Sequence, residues 1–154
     1  MTKQPHGIID QSELGRKNDY LYRVSIKGLI RDADGKVLVV KEAGRTWWDL
    51  PGGGMDHDEN IKSALAREMY EEVGLTGDFT YKVIAVDNPG FLSHANVWQL
   101  RLIFEVIPET LPTEAGNDAN EIHYINPSKL RDSEHSAERS VFKYASIPNS
   151  IKGS

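Results

Sequence analysis

Gly53-Gly54-Met55-Asp56-His57-Asp58-Glu59-Asn60-Ile61-Lys62-Ser63-Ala64-Leu65-Ala66-Arg67-Glu68-Met69-Tyr70-Glu71-Glu72-Val73-Gly74-Leu75 combines the clearest periodicity in the chain with its densest set of carboxylates. Ile61, Leu65, Met69 and Val73 recur every four positions, which predicts a helix over residues 59–73. Gly74 stands where a helix end takes its left-handed residue. On that helix Glu68, Glu71 and Glu72 fall at i, i+3 and i+4, so three like charges share one side and repel. At roughly 100° per residue, Glu68 and Glu72 point into the same arc as Ile61 and Leu65, the side that packs inward. Carboxylates placed there need a cation or must give up their charge. A hard divalent ion resolves the conflict, magnesium in particular, which is held by a few carboxylates together with substrate phosphates and water. Arg67 can brace one carboxylate through a bidentate contact. The competing reading, a solvated helix face salted by Lys62 and Arg67, suits an arbitrary helix.

Before the helix, residues 22–30 are rich in β-branched and aromatic side chains, Asp34-Gly35 supplies turn chemistry, and residues 36–41 resume a strand pattern. This predicts a hairpin. A short strand follows at residues 46–50, and residues 51–54, Pro-Gly-Gly-Gly, read as a loop where backbone must approach something closely. After the helix, residues 79–86 and 96–107 are predicted strands separated by Asp87-Asn88-Pro89-Gly90. Residues 108–120 read as a loop, 121–125 as a short strand, 136–145 as a helix, and 148–154 as a frayed tail.

The full chain has 154 residues, 39% hydrophobic and 27% charged, which supports a packed core and one domain, residues 1–154. Its core spans about residues 20–145, with 1–19 an N-terminal extension and 147–154 a flexible tail. A formal charge of -5 argues against nonspecific binding to nucleic acid, so none is expected as a partner, and any polyanionic substrate needs local cations. The absence of cysteine removes disulfides, thiolate metal sites and thiol nucleophiles. The longest aliphatic run, Val37-Leu38-Val39-Val40, is far short of a membrane span, and the N-terminus lacks a signal-peptide core, so a cytoplasmic protein without membrane partners is the simplest reading.

Gly53, Glu59, Arg67, Glu68, Met69, Glu71, Glu72, Gly74 and Leu75 match every fixed position of the pattern G-x5-E-x7-R-E-U-x-E-E-x-G-U, with U a bulky aliphatic residue. The chain therefore resembles the MutT/Nudix hydrolase family. The resemblance implies an α/β fold, an α/β/α sandwich on a mixed sheet with the box as loop, helix and loop. It implies hydrolysis of a pyrophosphate bond in a nucleoside diphosphate linked to another group, with Mg2+ or Mn2+ as cofactor. It maps metal ligands onto Glu68, Glu71 and Glu72, the residue orienting them onto Arg67, and the acid at the helix entrance onto Glu59. A small departure is Asp58-Glu59 where relatives often carry Gly-Glu.

Glu121, Tyr124 and Leu130 match a looser downstream spacing of the family, which makes Glu121 a candidate metal ligand or general base, with Glu114 and Asp118 behind it and an edge-strand carboxylate facing water as the competing reading. The proton acceptor is Glu71, Glu72 or Glu121, with Glu72 the first choice. Gly52 and Gly53 are expected to bind the diphosphate. Trp48, Phe91 and Trp98, with Trp47 and His94, are candidates to stack on a base, and Arg45 and Arg23 to meet a distal phosphate. For the aromatics, core packing is the competing reading. Alternative functions are hydrolysis of noncanonical nucleoside triphosphates or dinucleoside polyphosphates, and a Nudix-fold nucleotide sensor without turnover, against which the intact box argues. A small nucleotide is the expected partner, and a homodimer is left open.

Overall fold

Val37, Leu38, Val39 and Val40 are all buried because they are covered from both sides, Leu38 and Val40 in one core cluster and Val37 and Val39 in the other. A continuous apolar run is the expected composition of such a strand. The computed structural model describes residues 6–148. Its elements are β1 (Ile8–Ile9), β2 (Asp19–Tyr20), β3 (Arg23–Leu29), β4 (Val37–Glu42), β5 (Gly52–Gly54), α1 (Ile61–Val73), β6 (Phe79–Val86), β7 (Gly90–Leu92), β8 (Val97–Pro108), β9 (Ala119–Ile125) and α2 (Ser136–Ala145).

The principal sheet runs β5-β3-β8-β6, with β7 also on β8. It is mixed: β3 and β8 are parallel, and the other ladders are antiparallel. β4 pairs antiparallel with β9. Ile26, Phe104 and Val106 join Ala64, Leu65, Met69 and Val73 of α1 in one core, whereas Leu29, Ile103 and Leu50 join Val141 and Tyr144 of α2 in the other. Helices thus cover opposite sides of the strands, an α/β/α sandwich.

The structure corrects three local expectations. The turn at Asp34-Gly35 exists, with the Asp32 carboxylate accepting from the N–H groups of Asp34 and Lys36 at 2.9 Å each. The flanking segments pair only at the base of the turn, through the antiparallel Arg31–Val37 bridge and the Leu38 N–H to Ile30 carbonyl bond at 2.9 Å, and then part, β3 to β5 and β8 and β4 to β9. Each is apolar enough to be buried among other elements, and interior pairing satisfies both. Residues 51–54 are not a loop, since Gly52, Gly53 and Gly54 pair in register with Lys27, Ile26 and Ser25. Residues 46–50 contribute only a bridge between Val40 and Asp49. The short strands β1, β2 and β7 have too few residues to show a period. Of the expected tail, residues 149–154 lie outside the described residues.

α1 begins at Ile61, two residues later than expected, because the Asn60 side chain accepts from the Ser63 N–H at 2.8 Å and Ser63 Oγ accepts from the Asn60 N–H at 3.0 Å. It ends at Gly74, whose φ of 68° is the left-handed cap. Among the described residues no helix is long and apolar enough to cross a membrane.

Candidate active site

The three glycines of β5 bring α1 against the sheet. Gly52 has φ 149°, and a Cβ there would lie 2.0 Å from the Ile26 carbonyl oxygen. No side chain fits, so the Gly52 N–H is left flush with the helix and donates to Glu72 Oε2 at 2.6 Å. At Gly53 a Cβ would come within 2.7 Å of Glu68 Oε1, and at Gly54 within 3.0 Å of Arg23 Nε. One bare strand therefore has carboxylates against Gly52 and Gly53 and a guanidinium against Gly54.

Glu68 and Glu72 are 7% and 6% exposed, the inward placement expected from the helix wheel. Burial pushes the Glu72 carboxyl up to about 8, opposed by the charge of Lys27 and the Gly52 N–H and reinforced by the nearby Glu42 and Glu68. Burial also raises Glu68, against the pull of Arg67. Glu71 is half-exposed. Arg67 ties the set together: Nε and Nη2 donate to Glu59 at 2.7 and 2.9 Å, Nη1 to Glu68 at 3.0 Å and Glu71 at 3.3 Å, and Nη2 also to the Gly54 carbonyl at 3.1 Å. The Arg67 hydrogen bond and the Asp56 N–H hold Glu59 down to about 2.

Beside β5 lies an open cleft of about 300 Å³, whose wall includes Arg23, Lys27, Glu42, Arg45, His94 and Arg101. The buried Lys27 ammonium donates to Asp49 Oδ2 at 3.3 Å and to the Leu50 carbonyl at 3.2 Å. Arg45 pairs with Glu42 at 2.9 Å. Arg23, Arg45 and His94 are thus where a distal anionic group could meet them. Lys27, Glu42, Asp49 and Arg101 were not singled out from the sequence. The polar alternation Arg23, Ser25, Lys27 on β3 and Gln99, Arg101 on β8 is the signal that would have found the cations.

Other candidates lie elsewhere. Phe91 and Trp98 pack on each other at 5.6 Å and occupy strand positions alternate to Gln99 and Arg101, so they face away from the cleft. Trp48 packs with the α2-side core, 5.9 Å from the His123 ring with the Lys41 ammonium 4.5 Å above it, and Trp47 stacks on His135 at 4.7 Å. Glu121 is an exposed residue of β9, 3.7 Å from Lys41, and does not line the cleft. Asp118 meets the site through its backbone, its N–H reaching the Glu71 carbonyl at 2.9 Å. The Gly116 N–H reaches the Glu72 carbonyl at 3.0 Å, so this loop caps the last turn of α1. The Glu114 carbonyl lies 2.9 Å from where a Cβ on Gly74 would stand.

Among the described residues no three His, Asp or Glu side chains converge into a ready-made cation cage. The donor chemistry nevertheless fits a hard cation. Two buried carboxylates raised by desolvation are stabilised by such an ion, and magnesium takes only one or two protein carboxylates when substrate phosphates complete its shell.

The family model of the NUDIX domain matches residues 21–145. The MutT-like protein of Streptomyces ambofaciens is 26% identical over 112 residues, 73% of this chain and 69% of that protein. The RNA pyrophosphohydrolase of Actinobacillus pleuropneumoniae serotype 5b is 46% identical over 55 residues, 36% of this chain but only 27% of that protein. Among solved structures, the MutT protein from Methanosarcina mazei Go1 has TM-score 0.67 at 23% identity, covering 84% of this chain and 96% of that one, a likeness of fold.

Proposed function

Because this chain belongs to the NUDIX domain family, whose hydrolases act on pyrophosphate bonds of nucleotide-like substrates, we propose that it hydrolyses a nucleoside diphosphate linked to a second group, using a divalent cation and water. The observation that carries this reading is the pair of buried carboxylates, Glu68 and Glu72, pressed against the bare backbone of β5. Glu68 and Glu72 would hold Mg2+ or Mn2+, with Glu71 at the more exposed rim. When bound, such an ion neutralises charge on phosphate oxygens and lowers the pKa of a water it holds.

The chain's own residues do the rest. The Gly52 N–H steadies the Glu72 carboxylate through Oε2, and that carboxylate, ionised once a cation is bound, would accept the proton of the attacking water. Arg67 fixes Glu68 and Glu71 against their mutual repulsion and is itself anchored by Glu59. Lys27, buried and tied to Asp49, offsets the negative charge from the sheet side. Hydrolysis of a nucleotide panel with and without Mg2+ tests the reading. Metal-dependent release of a nucleoside monophosphate supports it, and nucleotide binding without turnover favours a sensor instead.

A further inference from the structure

The cleft holds more positive charge than its own carboxylates neutralise. Lys27 is paired with Asp49 and Arg45 with Glu42. Arg23 and Arg101, which line the same wall, have no carboxylate partner among the described residues. Arg101 Nε is buried without a hydrogen-bond partner, an unused donor of the kind that a folded chain rarely leaves. Ser25 faces Arg101 in the parallel ladder of β3 and β8, and Arg23 is two residues before it. The two guanidinium-bearing positions therefore share a face at about 8 Å, from strand spacing and rise.

Both lie against neighbouring groups. Arg23 lies across Gly54, where a Cβ would come 3.0 Å from its Nε and Nη2. Arg101 lies against the Tyr144 phenol of α2, which is also hydrogen-bonded to Asp87, and the Asp87 N–H returns to the Arg101 carbonyl at 3.0 Å. No Phe, Tyr or Trp among the described residues lines this cleft. His94 is the one ring in its wall, and a pocket whose wall is otherwise dominated by guanidinium groups suits phosphate oxygens, which take bidentate guanidinium contacts.

We propose that Arg23 and Arg101 form a subsite for an additional phosphate on the substrate, beyond the diphosphate to be cleaved, so that selection rests on phosphate more than on base. The proposal rests on the hydrolase reading for its place beside the glutamates. Tyr144 and Asp87 act as positioning residues for Arg101.

Two measurements test it on the full chain. Titration calorimetry with inorganic tripolyphosphate in EDTA needs no turnover. The expected result is binding that weakens at least about tenfold in Arg23→Gln and in Arg101→Gln and is unchanged in the control Arg131→Gln, with melting temperatures checked for each. Unaltered binding in both cleft variants, or none by the unaltered protein, overturns the subsite even if nucleotides are hydrolysed. Kinetics then compare substrates differing by one phosphate, NAD with its 2′-phosphorylated form and dephospho-coenzyme A with coenzyme A. The phosphorylated member should have the higher kcat/KM in at least one pair. Arg101→Gln should erase that preference, and Tyr144→Phe should raise KM for that member with kcat kept. A preference that survives Arg101→Gln contradicts the proposal. Absence of turnover on every substrate counts against the hydrolase reading, and the calorimetry still decides the subsite on its own.

Discussion

The Gly52 N–H lies 2.6 Å from Glu72 Oε2, a hydrogen bond that, with the one from Arg67 to the Gly54 carbonyl, joins the edge strand of the sheet to the carboxylate helix. It is a charge-assisted contact when Glu72 is ionised, yet burial dominates and raises the carboxyl to about 8. The proton that Glu72 holds near neutrality stands in for the charge a cation would supply.

That proton makes stability depend on pH. The folded carboxyl titrates near 8 and the unfolded one near 4.5. Its contribution is complete below pH 4.5 and is lost as pH rises to 8. Glu59, lowered to about 2, works in the opposite window: its contribution is present above pH 4.5 and lost as pH falls toward 2. Melting in EDTA should show Glu72→Gln gaining on the unaltered protein between pH 5 and 8, by about 1 kcal/mol or more. Parallel curves would exclude a buried, proton-holding Glu72.

Gly52→Ala and Gly53→Ala should separate folding from chemistry. The first sets a Cβ 2.0 Å from a backbone oxygen at φ 149°, so it should cost several kcal/mol, about 3 or more, in urea unfolding. The second meets only the movable end of Glu68 at 2.7 Å. It should melt close to the parent while losing at least about tenfold in kcat by displacing that carboxylate.

Arg67→Ala removes the one guanidinium shared by Glu59, Glu68 and Glu71. Because Glu68 is then buried without its cation, a stability loss of about 1–3 kcal/mol and a fall in turnover of about 100-fold are expected from denaturation and steady-state kinetics. Arg67→Lys should recover stability better than turnover, since an ammonium cannot span the same oxygens.

The helix, its glycine cap and the inward pair Glu68 and Glu72 were legible because a 3.6-residue period fixes which side chains share a face, whatever the rest of the chain does. The strands 79–86 and 96–107 were legible from composition. Pairing was not: the Asp34-Gly35 turn announces a reversal but cannot say that β3 and β4 part to different ladders, since partners come from distant segments. Gly52, Gly53 and Gly54 have no side chains to show a period, so a strand there leaves no pattern. The aromatic candidates failed to meet the cleft for a simpler reason. Phe91 and Trp98 sit at the alternate positions of β7 and β8, and one residue of register decides the face.

Phe91→Ala and Trp98→Ala should accordingly leave the ranking of adenine, guanine and pyrimidine substrates unchanged, with KM within about twofold of the parent, because neither ring lines the cleft. A reordered ranking by steady-state kinetics would put the base on the other face of the sheet.

Whether the buried glutamates of α1 against β5 run a cation-dependent hydrolysis is decided by product analysis of a nucleoside diphosphate-sugar panel with Mg2+, comparing the parent with Glu72→Gln. The parent should release a nucleoside monophosphate and a sugar phosphate only when Mg2+ is present, and a folded Glu72→Gln protein should be slower by about 10²–10⁴-fold. Equal rates for the two proteins at saturating Mg2+, or hydrolysis undiminished in EDTA, would contradict a cation held by these carboxylates.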